Sequence, residues 1–164
     1  MKYFAHPTAI IEDGADIGEG CMIWAHSHIS ATAQIGKGCT IGENVYIGKL
    51  VVLGNHCKVQ NGVNLYTGVT AEDYVFFGPA VQTTNENHIG LLDRFGNPNT
   101  SWELGYTHFK RGAAIGSNAT IRCGSRNNPT VIGVQSVVGS GSVVTKSVPD
   151  FTTVVGNPAK IMEK

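Results

Sequence analysis

Apolar residues, all but one of them large, recur every sixth position along the first half of the chain. Ile11, Ile17, Ile23, Ile29, Ile35, Ile41, Ile47, Leu53, Val59, Leu65, Ala71 and Phe77 form one unbroken series. Four residues after each stands a small or β-branched one: Ala15, Cys21, Ser27, Ala33, Cys39, Val45, Val51, Cys57, Val63, Val69, Val75 and Val81. Glycine follows the first series at Gly18, Gly36, Gly42, Gly48, Gly54 and Gly78. An amphipathic helix needs apolar residues at i, i+3, i+4 and i+7, and a period of six drifts around such a helix. Simple strand alternation does not place glycine every sixth residue. A hexapeptide period is the sign of a parallel β-helix. Each hexapeptide predicts one short strand and one turn, and three of them one triangular coil. The aliphatic residue fills the interior, the residue four later fits the corner, and glycine tolerates the turn dihedrals. Residues 11–82 predict four coils at strand spacing, roughly 19 Å of height.

The period returns at Ile115 and Ile121, with partners Ala119 and Ser125. It slips over Ser125–Val131, SRNNPTV, where Asn and Pro read as a turn insertion. It resumes at Ile132, Val138 and Val144, with Ser136, Ser142 and Val148 as partners. The tail, VPDFTTVVGNPAKIMEK, leaves the repeat and predicts a short strand and a cap. The expected architecture is all-β: a parallel β-helix of about six to seven coils, one domain over 1–164, with almost no helix. A protruding loop over 84–110 interrupts it. A loop this long without a period is usually functional or disordered. Leu91, Leu92, Phe95, Trp102, Tyr106 and Phe109 argue for order and need a surface, which a neighbouring subunit would supply.

Charge narrows the function classes. The chain of 164 residues has 12 Lys+Arg against 12 Asp+Glu, 41% hydrophobic residues, 15% charged residues and 21 glycines. Zero net charge argues against a nucleic-acid binder and against a polybasic membrane-surface protein. No apolar stretch approaches the roughly 18 residues of a membrane span. The start, MKYFAHPTAIIEDG, lacks the apolar core of a signal peptide, so the cytoplasm is the expected location. Cys21, Cys39 and Cys57 stand 18 residues apart, in one corner column, and no CxxC pair occurs. They read as small corner hydrophobes. Cys123 stands outside the column. Among the histidines, His6 reads as solvated or capping, His108 as lining or structural, and His88, in the loop, as the best placed for chemistry.

The whole chain resembles the left-handed hexapeptide-repeat acyltransferases. Its ending, VTKSVPDFTTVVGNPAKIM, is similar to their V-x-G-x-P-A-K/R closing segment. The left hand comes from that resemblance, since the usual crossover preference is right-handed. The segments YFAHPTAIIEDGADIGEG, Trp24 to Ile29, KVQNGVNLYTGV, FFGPAV-x-x-TN and RGAAIGSNATIRCG resemble the sugar-nucleotide 3-amino N-acetyltransferases of bacterial surface polysaccharide biosynthesis. Two departures bear on the substrate. Ala25 and His26 follow Trp24 where the family often reads W-H-F. The stretch GNPNTSWELGYTHFK lacks the Asn-Pro-Arg run of uronic-acid-specific members.

The resemblance implies acetyl transfer from acetyl-CoA to the 3-amino group of a dTDP- or UDP-linked amino deoxy sugar, with no metal. It places Asn85 at the family's active-site asparagine, orienting the amine or stabilising the oxyanion. The alternative makes His88 or His108 a general base. Thr84, Trp24 and His28 would line the nucleotide-sugar pocket. Gly116, Asn118, Cys123 and Ser140 would meet the pantetheine arm, and Lys146 and Lys160 the phosphates. A homotrimer with active sites between subunits is the expected assembly. Three rivals stay open. One is an acyltransferase for another acyl chain, amine or hydroxyl. The others are a zinc trimer like the γ-type carbonic anhydrases, whose histidine spacing this chain lacks, and a non-catalytic β-helix.

Overall fold

The structure, a computed structural model, describes residues 2–163. Among them there are 22 short strands, most of two residues, and no helix. No helix is therefore long and apolar enough to cross a membrane. The strands stack in three sheets of nine, seven and six, the walls of a left-handed parallel β-helix. The chain passes all three walls six times, from Phe4 to Ile132, and begins a seventh coil. Outward-facing partners stand one coil apart. On the first wall Phe4, Met22, Thr40, Lys58, Phe76, Ala114 and Val137 form one row. Ile10, His28, Tyr46, Asn64, Gln82, Thr120 and Val143 form that row on the second. On the third it is Asp16, Gln34, Val52, Thr70, His108 and Val131. The tail supplies a terminal strand, Thr153–Val155, and an antiparallel one, Lys160–Ile161, that closes the end.

The aliphatic series fills the interior: Ile23, Ile29, Ile41, Ile47, Leu65, Ile115 and Ile121 are fully buried. From Cys21 onward the corner column is also buried, and its polar members have a defined task. Ser27 Oγ donates to the Gly42 carbonyl at 2.6 Å and accepts the Val45 amide at 3.1 Å. The thiols of Cys21, Cys39 and Cys57 donate to the carbonyls of Gly36, Gly54 and Glu72 at 3.0, 3.2 and 3.2 Å. The adjoining Cys39 thiol and burial push the Cys21 thiol above its ordinary value. These cysteines are free and act as corner packing with a weak donor.

Three local expectations need correction. The glycines that follow the aliphatic series do not supply turn dihedrals. They admit the next coil: a Cβ on Gly18 would stand 2.5 Å from the Gly36 carbonyl carbon, and one on Gly36 would stand 2.6 Å from that of Gly54. The left-handed conformation comes two residues later, at Gly14, Gly20, His26, Thr32, Gly38, Asn44, Leu50, His56, Gly62, Gly68, Tyr74 and Ala80. Ser125 is not the corner partner of Ile121. It is exposed in the insertion, and Thr130 occupies the buried corner. Phe109 does not pack on a neighbouring chain. It is fully buried in its own coil, in the strand Thr107–Phe109, edge-to-face with Phe77 at 4.9 Å between ring centres.

Candidate active site

The excursion leaves the second wall after Gln82–Thr83 and re-enters the third wall at Thr107–Phe109. It therefore spans one corner of the triangle. Its two limbs pair antiparallel at Glu86 with Leu104 and at Leu92 with Pro98, so it is an arm folded back on itself. Asp93 turns the tip: its Oδ1 accepts the amides of Phe95 at 2.8 Å and Asn97 at 2.9 Å. The amides of Asn97 and Phe95 hold that carboxyl below the usual range. Trp102 Nε1 donates to Glu86 Oε1 at 2.8 Å and ties the limbs together.

The arm is rooted on the next coil. Thr84 Oγ1 accepts the Cys123 amide at 3.0 Å and lies 3.3 Å from its sulfur. The Cys123 thiol also reaches Asn87 Oδ1 at 3.6 Å. Gly105 must be glycine, since a Cβ there would fall 2.2 Å from that sulfur. The Gly105 amide donates to the Asn85 carbonyl at 2.8 Å, and Tyr106 exchanges backbone bonds with Gly124. Asn85 is thus half-buried at the root with its backbone fixed. Thr84, a candidate substrate contact, spends its hydroxyl on Cys123. His88 is exposed and lines an open cleft of about 580 Å³ within the arm, with Asp93 and Arg94; Asn85 is not among the lining residues.

Below the root, His28 Nε2 lies 2.7 Å from Glu12 Oε1, and Glu12 Oε2 accepts the Ala31 amide at 2.7 Å. The Ala31 amide and then His28 hold the Glu12 carboxyl below its ordinary value. The His28 ring meets Tyr46 edge-on at 5.6 Å, and Tyr46 lies 5.6 Å from Tyr66. The Tyr66 amide donates to Thr83 Oγ1 at 3.0 Å, so this aromatic strip climbs to the root of the arm. Trp24 lies past the other edge of the second wall, against Phe4 at 5.9 Å. His108 faces outward on the third wall. Partial burial and then the Lys110 charge lower its pKa, which favours the neutral imidazole at pH 7.

The coenzyme candidates fall into two groups. Gly116, Asn118 and Ser140 occupy the corner between the first and second walls, where Asn118 takes φ 57°. Cys123 and Lys146 line a polar cleft at the arm's own corner. Lys146 and Lys160 share a neighbouring cleft of about 420 Å³, floored by Val148, Val154 and Ile161. Among the described residues no three His, Cys, Asp or Glu side chains group so as to hold a metal ion. The sequence reading did not single out Asn87 and Arg122, which line the polar cleft with Cys123 and Lys146, or Tyr46 and Tyr66 of the aromatic strip. Tyr46 stands 18 residues after His28, a spacing that stacks the two; Arg122 lies within the resembling segment RGAAIGSNATIRCG, and for Asn87 no sequence signal exists.

The family comparisons agree with this architecture. The model described as bacterial transferase hexapeptide (six repeats) matches residues 14–49. The hexapeptide repeat of succinyl-transferase matches 32–67 and 111–146, and together the two cover more than half of the chain. Among curated proteins, the dTDP-3-amino-3,6-dideoxy-alpha-D-galactopyranose 3-N-acetyltransferase of Aneurinibacillus thermoaerophilus is 45% identical over 58 residues. That match spans 35% of this chain and 28% of the relative. WeeI from Acinetobacter baumannii AYE superposes with a TM-score of 0.56 at 28% identity, covering 96% of this chain and 57% of that one. A point mutant of AntD, an N-acyltransferase from Bacillus cereus in complex with dTDP and coenzyme A, shares the fold. Its TM-score is 0.56 at 20% identity, over 98% of this chain and 80% of that one. The chain thus spans little more than half of WeeI and matches under a third of the curated relative. With its hexapeptide columns, three parallel walls and matching repeat models, the chain belongs to the hexapeptide-repeat family of bacterial transferases.

Proposed function

We propose that the chain is an N-acetyltransferase that moves the acetyl group of acetyl-CoA to the 3-amino group of a nucleotide-linked amino deoxy sugar. The observation that carries this reading is the 58-residue stretch at 45% identity to a dTDP-3-amino-sugar 3-N-acetyltransferase. The shared fold of an N-acyltransferase that holds dTDP and coenzyme A supports it.

The chemistry asks little of the protein. The neutral amine attacks the thioester carbonyl carbon, a tetrahedral oxyanion forms, and the carbon–sulfur bond breaks. The proton lost by nitrogen ends on the departing sulfur. Positioning supplies much of the acceleration, and a donor at the oxyanion adds to it. Asn85, with its backbone fixed by Gly105, is our choice for that group. Its amide can accept from the amine or donate to the oxyanion, and it cannot act as a base. Thr84, Trp24 and His28 would serve the sugar nucleotide. Gly116, Asn118, Cys123, Ser140, Lys146 and Lys160 would serve the coenzyme. The exposed Ile89, Leu91, Phe95 and Trp102 of the arm favour a homotrimer in which a neighbouring chain covers them.

Thiol release from acetyl-CoA, followed over a panel of dTDP- and UDP-amino sugars, tests the reading. Release with a 3-amino sugar and none with hydroxyl acceptors is expected; silence across all amines overturns it. Asn85→Ala lowers kcat by about 10²- to 10³-fold, the usual effect of losing one oxyanion donor. Full kcat in Asn85→Ala, with loss in His88→Ala or His108→Ala, transfers the role to a histidine base.

A further inference from the structure

Zero net charge hides a gradient along the coil axis. Residues 2–35 carry Glu12, Asp13, Asp16 and Glu19 against Lys2 alone. Residues 112–162 reverse this, with Arg122, Arg126, Lys146 and Lys160 against Asp150. Asp150 is occupied, since its Oδ1 accepts the Val134 amide at 2.7 Å. The end of the molecule that carries the arm root is therefore the basic end, and it attracts anions.

A cleft of about 280 Å³ opens there, directly beside the root. Arg122 and Lys146 come to it from successive coils, registered by the Arg122 amide donating to the Val144 carbonyl at 2.9 Å. Asn87, Asn128, Thr145 and Ser147 complete a polar lining that contains no carboxylate. Two of these groups are already oriented. Ser147 Oγ accepts the Val131 amide at 3.0 Å, so its proton is left to donate elsewhere. Asn87 Oδ1 takes the Cys123 thiol, which leaves its NH₂ end for a ligand.

We propose that this cleft binds a phosphate or pyrophosphate group of one of the two substrates. Two cations with neutral hydroxyl and amide donors make a complement to phosphate oxygens. The volume lies just below the roughly 300 Å³ at which pockets begin to hold whole small molecules, so it suits a fragment of a nucleotide. The site is linked to the chemistry: the Asn87 that faces the ligand holds Cys123, and Cys123 holds Thr84, next to Asn85. The proposal rests on the acetyl-transfer reading for its substrate, and two sources share the chemistry, the pyrophosphate of the sugar nucleotide and the phosphates of acetyl-CoA.

Arg122→Gln is the test, since Arg122 is exposed and its loss leaves the coil intact. The expected result is a rise of about tenfold or more in KM for one phosphate-bearing substrate, with kcat within a few-fold. If the rise is for acetyl-CoA and vanishes with acetyl-pantetheine, which has no phosphate, the coenzyme is the source. If it is for the sugar nucleotide, the nucleotide pyrophosphate is. Arg126→Gln, outside the cleft, leaves both KM values within about twofold. Unchanged KM for both substrates in Arg122→Gln overturns the proposal. A calorimetric titration with inorganic pyrophosphate separates this from a failure of the enzymatic reading. Were the wild type to transfer no acetyl group, pyrophosphate binding that weakens about tenfold in Arg122→Gln would still support the cleft, and absent or unaltered binding would overturn it.

Discussion

The coil and the arm bury their apolar residues by opposite rules. In the coil Ile23, Ile41, Ile47 and Phe77 are fully enclosed by their own chain. In the arm Ile89 is 92% exposed and Leu91 88%. The coil is a one-dimensional stack, in which each rung meets only the rungs above and below it and stability adds rung by rung. The arm meets the stack at one place, the Thr84–Asn87 root on Cys123, together with its returning limb at Gly105 and Tyr106. Stability rests on the stack, and the proposed orienting group Asn85 stands on the arm's root, so changes in one region should leave the other measurable.

The sharpest way to break that separation is in the rung beneath the arm. Phe77 lies against Phe109, the first large apolar residue to re-enter the core after the excursion. Phe77→Ala removes a ring from a core that cannot collapse across a stacked wall. Its expected cost is about 3 to 5 kcal/mol, read as a lower midpoint in chemical denaturation. A cost below about 1 kcal/mol, far under the usual range for such a loss, would mean that the coil tolerates a void at the arm's rung and that the two regions are not distinct. The reciprocal change is smaller in stability and large in function. Replacing 88–102 by two glycines, so that Glu86 and Leu104 can still pair, leaves the thermal midpoint within a few degrees. Acetyl transfer then falls by about 100-fold or more, because the proposed trimer loses the contact of Ile89, Leu91, Phe95 and Trp102 that sets one chain's groups against the next chain's reactants. A midpoint that drops as far as that of Phe77→Ala would show the arm to be part of the fold.

The same contrast explains how much the sequence discloses. Ile11 to Phe77 declare the coil because every rung repeats the same steric demand. The rule extends to Ala5, six residues before Ile11, and to Phe109, six before Ile115. Phe109 is masked in the sequence by its aromatic neighbours in the arm. The glycine columns are visible and their cause is not: sequence shows that Gly36 recurs, and only the stack shows the Gly54 carbonyl above it. The arm has no period, so nothing in the order of its residues indicates that Asn87 and Cys123 meet, or that Arg122 and Lys146 share a cleft. Those contacts cross from one coil to the next through an excursion and an insertion, and each shifts the spacing that made the rest legible.

The smallest effect concerns the turns. Leu50 sits in the left-handed region at φ 59° and is 62% exposed. A branched aliphatic residue there is held against its preference at a cost of order 1 kcal/mol, while asparagine enters that region readily. The Leu50 amide donates to Thr32 Oγ1 at 3.3 Å, a backbone bond that the side chain does not affect. Leu50→Asn should therefore stabilise the isolated chain by about 0.5 kcal/mol, a fraction of that cost, with acetyl transfer within a few-fold because the Asn85 root lies two coils above. The measurement is a denaturation midpoint taken beside the molecular mass in solution. A lower midpoint together with a smaller assembly would show Leu50 to be covered by another copy of the chain, and the strain to be offset at that contact. That outcome would move part of the coil's stability from the rungs to the assembly.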